Sequence, residues 1–374
     1  MSQVIIKEID SKSIVWFKES NSYAIFEKLV AEIIAKINSK TPINVIEEYC
    51  IKKIDAPLDK IKEFIKDVNS IFNNNTSSNS RNQKVTFNKE APKKYYSERI
   101  YNINNLFFLI RFETEYLELK IHPTFAHLEI NLVKTPDFTY TFYNDNQEIV
   151  FLKNNNYIDK WKQQDSHVFE GKISMHILID IYKRPERKWM GVFHASAVNY
   201  GNDSLLFLGD SGNGKSTSLA LLNAHGYNCI ADDFVPIDNE KNIRFYPAAI
   251  SIKKSSVKTL LSYYPELEKN TEYHYKKHNK VVRFLPPTKL NYLQKSKCKA
   301  LIFIKYDVNI ELQIYPISKI EAFQQLIPDS WVSPLEENAT IFLDWFLELP
   351  CYQLVYYDNL KMIETVSKIF NDEL

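Results

Sequence analysis

Apolar and polar residues alternate over residues 4–18, so "VIIKEID" and "SIVWFKE" read as two short strands joined by a turn at Ser11-Lys12-Ser13. The period then lengthens to that of helices. "SYAIFEKLVAEIIAKI" sets Ile25, Leu29, Ile33 and Ile34 on one helical face. "TPINVIEEYCIKKI" predicts a second helix, with Thr41 as N-cap and Pro42 at the first helical position, where a missing N–H is harmless. A third, "PLDKIKEFIKDVNSIF", opens at Pro57 and turns Leu58, Ile61, Phe64, Ile65 and Val68 inward. The run "NNNTSSNSRNQ" at 73–83 holds no apolar residue and reads as a linker. These patterns separate a first unit over 1–75 and a linker over 76–83 from the rest of the chain.

From 84 to 190 the pattern is mixed α+β. Strands are expected at "NLFFLIRFE", "YLELKIHP" and "HLEINLV", and a helix over "KISMHILIDIYKRP", ending at Pro185. From 191 to 374 apolar runs such as "SLLFLG", "KALIFIKYD" and "CYQLVYYD" alternate with helical patterns, the order expected of an α/β unit. The fold class expected is therefore α/β, α+β overall, with no internal repeat.

Composition changes this picture only by exclusion. Forty-seven basic against 46 acidic residues leave a net charge of +1, without the basic excess a polyanion-binding protein needs, so nucleic acid is not expected as a partner. No apolar run approaches the roughly 18 residues of a membrane span. The first twenty residues carry charges throughout instead of a signal-peptide core, which points to the cytoplasm and away from membranes. Cys50, Cys229, Cys298 and Cys351 are scattered, which fits reduced thiols better than disulfides or a zinc site. The composition leaves a homo-oligomer open.

Glycine usage is more telling. The chain has only seven glycines, and three of them fall in "GDSGNGKST", residues 209–217. That stretch satisfies G-x-x-x-x-G-K-[ST], with an apolar strand before it and an apolar helix, stopping at Gly226, after it. A loop that wraps a phosphate must turn backbone N–H groups inward, at dihedral angles and approach distances a Cβ obstructs. Gly209, Asp210, Ser211, Gly212, Asn213, Gly214, Lys215, Ser216 and Thr217 are therefore expected to bind the phosphates of ATP or another nucleoside triphosphate. Lys215 would reach the β- and γ-phosphates and Ser216 would ligate Mg2+.

Downstream, "NCIADDFVPI" is an apolar strand ending in Asp232-Asp233, and upstream "GVFHASAV" puts His194 on a strand. Two carboxylates beside a phosphate loop can divide the work: one helps hold Mg2+, the other takes a proton from an attacking hydroxyl. His194 fifteen residues before Gly209, with an Asp pair beginning 23 residues after it, resembles HPr kinase/phosphorylase. The chain is still more similar to the wider set of HPr-kinase-related proteins with "HAxAV…GxSGxGKST…DDxxPI". The resemblance covers roughly 190–374 and continues through "FYPAAISIKK", "VVRFLPP", "ALIFIKYD" and "LPCYQLVYYD".

This resemblance implies a phosphoenolpyruvate-carboxykinase-like P-loop core over 191–374. It implies that His194 lies near the transferred phosphate, that Asp233 is the base, and that Asp232 stands beside it in the metal or phosphate shell. Arg283 in "VVRFLPP" is a candidate for charge stabilisation at the transferring phosphoryl group, against a plain ion-paired arginine. Two departures matter. HPr kinase has Glu directly after the loop Ser, where this chain has Thr217, and its "EIRGLGI" segment has no counterpart here. A related kinase with another acceptor fits better than the HPr enzyme itself.

The order strand, strand, three helices over 1–75 resembles PqqD-like peptide-recognition domains, small winged-helix modules in which a peptide adds a strand along the exposed sheet edge and third helix. Tethering such a module to a kinase raises the local concentration of a peptide's modifiable end. The expectation is thus a kinase acting on Ser or Thr of a peptide or protein, such as a ribosomally made precursor peptide. A small-molecule kinase acting on free serine or the like, and a nucleotide-dependent binding protein without transfer, remain the alternatives.

Overall fold

The computed structural model describes residues 2–77, 91–131, 134–275 and 280–374. It opens with an antiparallel meander, β1 (Val4–Ile9), β2 (Lys12–Phe17) and β3 (Ser22–Glu27), followed by α1 (Lys28–Asn38), α2 (Ile43–Ile51) and α3 (Leu58–Thr76). The first turn comes earlier than expected, because Ile9 pairs with Lys12 and Asp10 takes the left-handed φ of 48°. The helix expected from Ser22 instead begins at Lys28, and Ile25 pairs with Ile14 in β3. The reason lies in burial on both faces. Ala24 and Phe26 face the cluster under α1–α3, while Tyr23 and Ile25 face the main core, so no polar alternation marks the strand.

The other helices are displaced at their ends. Pro42, not Thr41, occupies the N-cap of α2, and Leu58 is exposed where α3 begins. α3 takes in Asn73–Thr76, and the side chains of Asn75, Thr76 and Ser77 bond back to carbonyls four residues earlier. The remaining linker residues, 78–83, lie outside the described residues.

The middle of the chain forms a five-stranded sheet. Its strands are β4 (Ser97–Ile103), β5 (Leu106–Phe112), β6 (Phe138–Asp145), β7 (Glu148–Lys153) and β8 (Asn156–Lys162), in that order, with only β5 and β6 parallel. α4 (Glu115–Phe125) and α5 (Ser166–Tyr182) belong to the same region. The strand expected at 116–123 is α4: "YLELKIHP" carries both a two-residue and a four-residue apolar period, and Thr114, accepting from the Leu117 N–H, caps the helix. Residues 127–131 are no strand either, making a short 3-10 turn at Ala126–Leu128 and one bridge from Glu129 to Tyr101, while 132–133 lie outside the described residues. α5 starts at Ser166 and stops at Tyr182, where Lys183 turns left-handed.

His127 in that 3-10 turn gives a test of the packing. Burial pulls its pKa from 6.5 to about 4. The unfolded chain therefore takes up a proton that the folded protein refuses, so stability falls as pH drops from about 6.5 to about 4 and levels off below. The loss should approach about 3 kcal/mol, read as a lower urea midpoint at acid pH. His127→Gln should remove that part of the pH dependence; an unchanged profile in the variant would show the imidazole to be solvated.

The rest builds a ten-stranded sheet. Its strands are β9 (Trp189–Phe193), β10 (Ser196–Tyr200), β11 (Asp203–Leu208), β12 (Asn228–Asp232), β13 (Val235–Asp238) and β14 (Asn242–Arg244), then β18 (Lys295–Tyr306), β19 (Leu312–Pro316), β20 (Ser330–Val332) and β21 (Cys351–Tyr356). A small sheet of β15 (Ile250–Lys253), β17 (Lys280–Leu285) and β16 (Tyr273–Tyr275) lies beside it. The large sheet runs β12-β10-β11-β18-β14-β13-β9-β20, with β21 also on β18 and β19 on β21. β11, β18 and β21 are parallel neighbours, so their C-terminal ends share one edge of the sheet.

Helices cover both faces: α6 (Lys215–Ala224), α7 (Lys254–Leu260) and α10 (Asn359–Phe370) on one, α8 (Lys319–Leu326) and α9 (Glu336–Glu348) on the other. β11 shows why its apolar run is unbroken, since Leu205 and Phe207 face the first layer and Leu206 and Leu208 the second. The chain is thus of mixed α and β class. The N-terminal sheet docks on α9 and β20 through Lys7–Asp344 (2.7 Å), Lys18–Glu336 (2.9 Å) and an Asn21 side-chain bond to the Val332 carbonyl (2.9 Å). Its Ile9, Ile14 and Trp16 join the main core. All four cysteines are free, and no helix among the described residues is long and apolar enough to cross a membrane.

Candidate functional site

β11 ends at Leu208 and the chain turns at once into left-handed backbone: Gly209, Gly212 and Gly214 have φ of 133°, 112° and 97°. Two of these positions are also closed to side chains. A Cβ on Gly209 would stand 2.7 Å from the Ile304 carbonyl oxygen, and one on Gly214 2.9 Å from the Tyr356 hydroxyl. The Tyr306 N–H donates to the Asn213 carbonyl (3.1 Å), pinning the loop to the end of β18. Among the described residues no side chain caps α6, so its first-turn N–H groups are open to an anion at the helix's positive end. Lys215, 5% exposed, folds its ammonium back onto the Gly209 carbonyl.

Asp232 ends β12 next to this loop and is 2% exposed. Its Oδ1 accepts from Ser196 Oγ (2.5 Å) and Ser216 Oγ (3.1 Å), and its Oδ2 from the Ser251 N–H (3.1 Å). Burial and then the Asp233 charge push its pKa up to about 7, against the pull of those three hydrogen bonds. Asp233 leaves the strand at φ 59°, a conformation that Asp tolerates better than most residues, and turns a half-exposed carboxylate outward. The His194 Nε2 lies 3.8 Å from its Oδ1.

His194 is not within a strand as expected. It occupies the break between β9, which pairs with β13 and β20, and β10, which pairs with β11 and β12, where the chain crosses between the two halves of the sheet. The fold thus brings Gly209–Thr217, Asp232, Asp233 and His194 together. Asp210 and Ser211 line the same cleft as Asp232, Asp233 and His194, a space of about 780 Å3.

Arg283 takes no part. From β17 it bonds the Leu267 and Glu268 carbonyls and pairs with Glu272 at 3.0 Å, an arrangement that ties down its own small sheet. A further cation beside the loop is Lys253, at the end of β15, whose ammonium donates to Ser211 Oγ (3.1 Å) and stands 3.7 Å from where a Gly212 Cβ would be. Its pKa is lowered by burial and then by Lys280 and Lys215, with Asp233 opposing. The sequence reading missed Lys253, although it ends the strand within "FYPAAISIKK".

Ser216 and Asp232 offer two hard oxygen ligands beside the glycine loop, a donor set suited to Mg2+ and not to softer metals. No family model and no curated protein matches this chain.

Proposed function

We propose that this protein is an ATP- and Mg2+-dependent kinase that phosphorylates a Ser or Thr hydroxyl of a peptide or protein. What carries the reading is the buried Asp232, bonded to Ser216 of the glycine loop, with the exposed Asp233 next to it and His194 at 3.8 Å. One carboxylate is built into the phosphate site and the other is free to meet an incoming group. In this reading the acceptor oxygen attacks the γ-phosphorus and the bond to the β,γ-bridging oxygen breaks. ADP leaves, and the hydroxyl proton passes to Asp233. Lys215 and the loop amides hold the phosphates in place. Ser216 and Asp232 would hold Mg2+, which neutralises phosphate charge.

Lys253 faces the same phosphates through Ser211, and we assign to it the charge stabilisation first sought in Arg283. Lys253→Ala should lower transfer by about 10- to 100-fold with the melting temperature unchanged, whereas Arg283→Ala should lower stability and leave the rate constant of folded enzyme alone. The reverse pattern would return the role to Arg283.

Residues 1–75 would hold the substrate peptide. β3 has no strand partner on its outer side among the described residues, which leaves an edge for strand addition. Single-turnover labelling from γ-labelled ATP, with serine peptides and free serine as acceptors, tests the whole reading. Label in peptide supports it. Label in free serine alone makes the protein a small-molecule kinase, and bound nucleotide with no transfer makes it a binding protein, the outcome that Thr217 in place of Glu would favour.

A further inference from the structure

Six of the seven glycines have a local reason to be glycine. Gly201, Gly209, Gly212, Gly214 and Gly226 hold φ between 61° and 133°, and a Cβ on Gly191 would stand 2.9 Å from the Trp331 carbonyl oxygen. Gly171 has no such reason. It lies inside α5, and among the described residues nothing outside its own helix comes within 4 Å of where its Cβ would be. Glycine is the poorest helix former after proline, so a chain this sparing of glycine has accepted a weaker helix at one open position. Gly171 opens onto the 780 Å3 cleft that begins at Asp233, His194 and Ser211.

We propose that this cleft is the acceptor site and that its occupant is an extended polypeptide segment. The segment crosses the bare backbone of α5 at Gly171 and carries a bulky apolar residue beside the hydroxyl offered to Asp233. The proposal rests on the kinase reading above. The cleft is walled by α5 on one side and by Ile121 and Phe125 of α4 and Trp331 of β20 on the others. Along α5 its lining runs from His167 to Met175, about 12 Å of helix, which matches about four residues of extended chain. A free amino acid would fill the inner end only and would leave Gly171 without a role. Ile121, Phe125, Met175 and Trp331 suit an apolar side chain; of the charged residues that also line the cleft, Lys120 and Glu170 neutralise one another at 2.7 Å, and Lys172 and Asp329 carry one charge of each sign.

The test uses the full chain with MgATP and two probes: octapeptide pools with a central serine flanked by apolar or by charged residues, and free L-serine. The apolar-flanked pool should be labelled about tenfold better than the charged one, and free serine should not be labelled. Gly171→Trp should lower kcat/KM for the peptide by about tenfold or more while calorimetry finds MgATP affinity unchanged. Gly171→Ala, which favours the helix, should melt higher and lose less, and it carries the test should the tryptophan variant not fold. Wild-type kcat/KM in these variants, or labelling of free serine in preference to peptide, overturns the proposal. Bound MgATP with no label in any peptide pool overturns the peptide cleft; no binding of MgATP at all overturns the kinase reading itself.

Discussion

Lys215→Ala should cost about a thousandfold in phosphoryl transfer and weaken MgATP binding as well, while the protein stays folded. The size of the effect follows from placement. Lys215 is the first residue of α6, 5% exposed, with its ammonium turned back over the loop at the Gly209 carbonyl. A charge held there acts where water screens it little, so its loss is felt far more than that of a surface lysine. Folding should survive, because alanine is the better helix former at that position and Leu219 and Leu222 of the same helix keep their core contacts. Lys215→Met, which keeps the chain's bulk, should behave like the alanine variant. Titration calorimetry and single-turnover labelling read the two effects separately; unchanged affinity in both variants would mean that residues 209–217 do not hold a nucleotide's phosphates.

The loop was legible in the sequence because its geometry selects a residue type. Three left-handed positions within six residues leave glycine as the natural solution, and seven glycines in the chain made the cluster stand out. The Asp pair was legible as an acidic end to an apolar strand. What Asp232 does with its oxygens was not, since its bond to Ser196 exists only because β10 pairs with β12 in a register that sets Ser196 opposite Asp232. The exchange of Arg283 for Lys253 has a similar cause. β15 and β17 are antiparallel neighbours with Ile252 opposite Arg283 and Lys253 opposite Val282, so the two cations stand one register step apart. That step sends one to the loop and the other to the Leu267 and Glu268 carbonyls, and no local pattern announces which.

The misread elements share a physical origin too. β3 lost its polar alternation because it is sandwiched between two clusters, and α4 gained a false one because Leu117 and Ile121 are interleaved with Leu119. The docking of the N-terminal sheet follows from the first of these. Tyr23 and Ile25 are apolar because they meet the main core, with the Tyr23 ring 5.5 Å from that of Phe342 in α9. Removing residues 1–75 would therefore bare the apolar surface around Phe323 and Phe342 as well as remove the proposed recognition module. Edge substitutions on β3 are the cleaner probe of peptide binding.

Asp233→Asn is the substitution that separates binding from chemistry, and it should lower transfer by about 10^3-fold with MgATP affinity held or tightened. Asn accepts left-handed backbone as readily as Asp, so the φ of 59° carries no new strain, and the near-equal shape keeps the turn into β13. The amide cannot take a proton from an acceptor hydroxyl, which removes the proposed base. The lost charge also acts on the neighbour: Asp233 is the second cause, after burial, of the raised Asp232 pKa, so in the variant Asp232 ionises more readily and, in its proposed role, would hold a divalent ion no less well. Transfer should thus fall while nucleotide binding does not. Asp233→Ala should instead lose stability, since alanine is poorly suited to that backbone conformation. Full turnover in Asp233→Asn would take the proton-accepting role away from Asp233; a parallel fall in nucleotide affinity and turnover would make it part of the phosphate site instead.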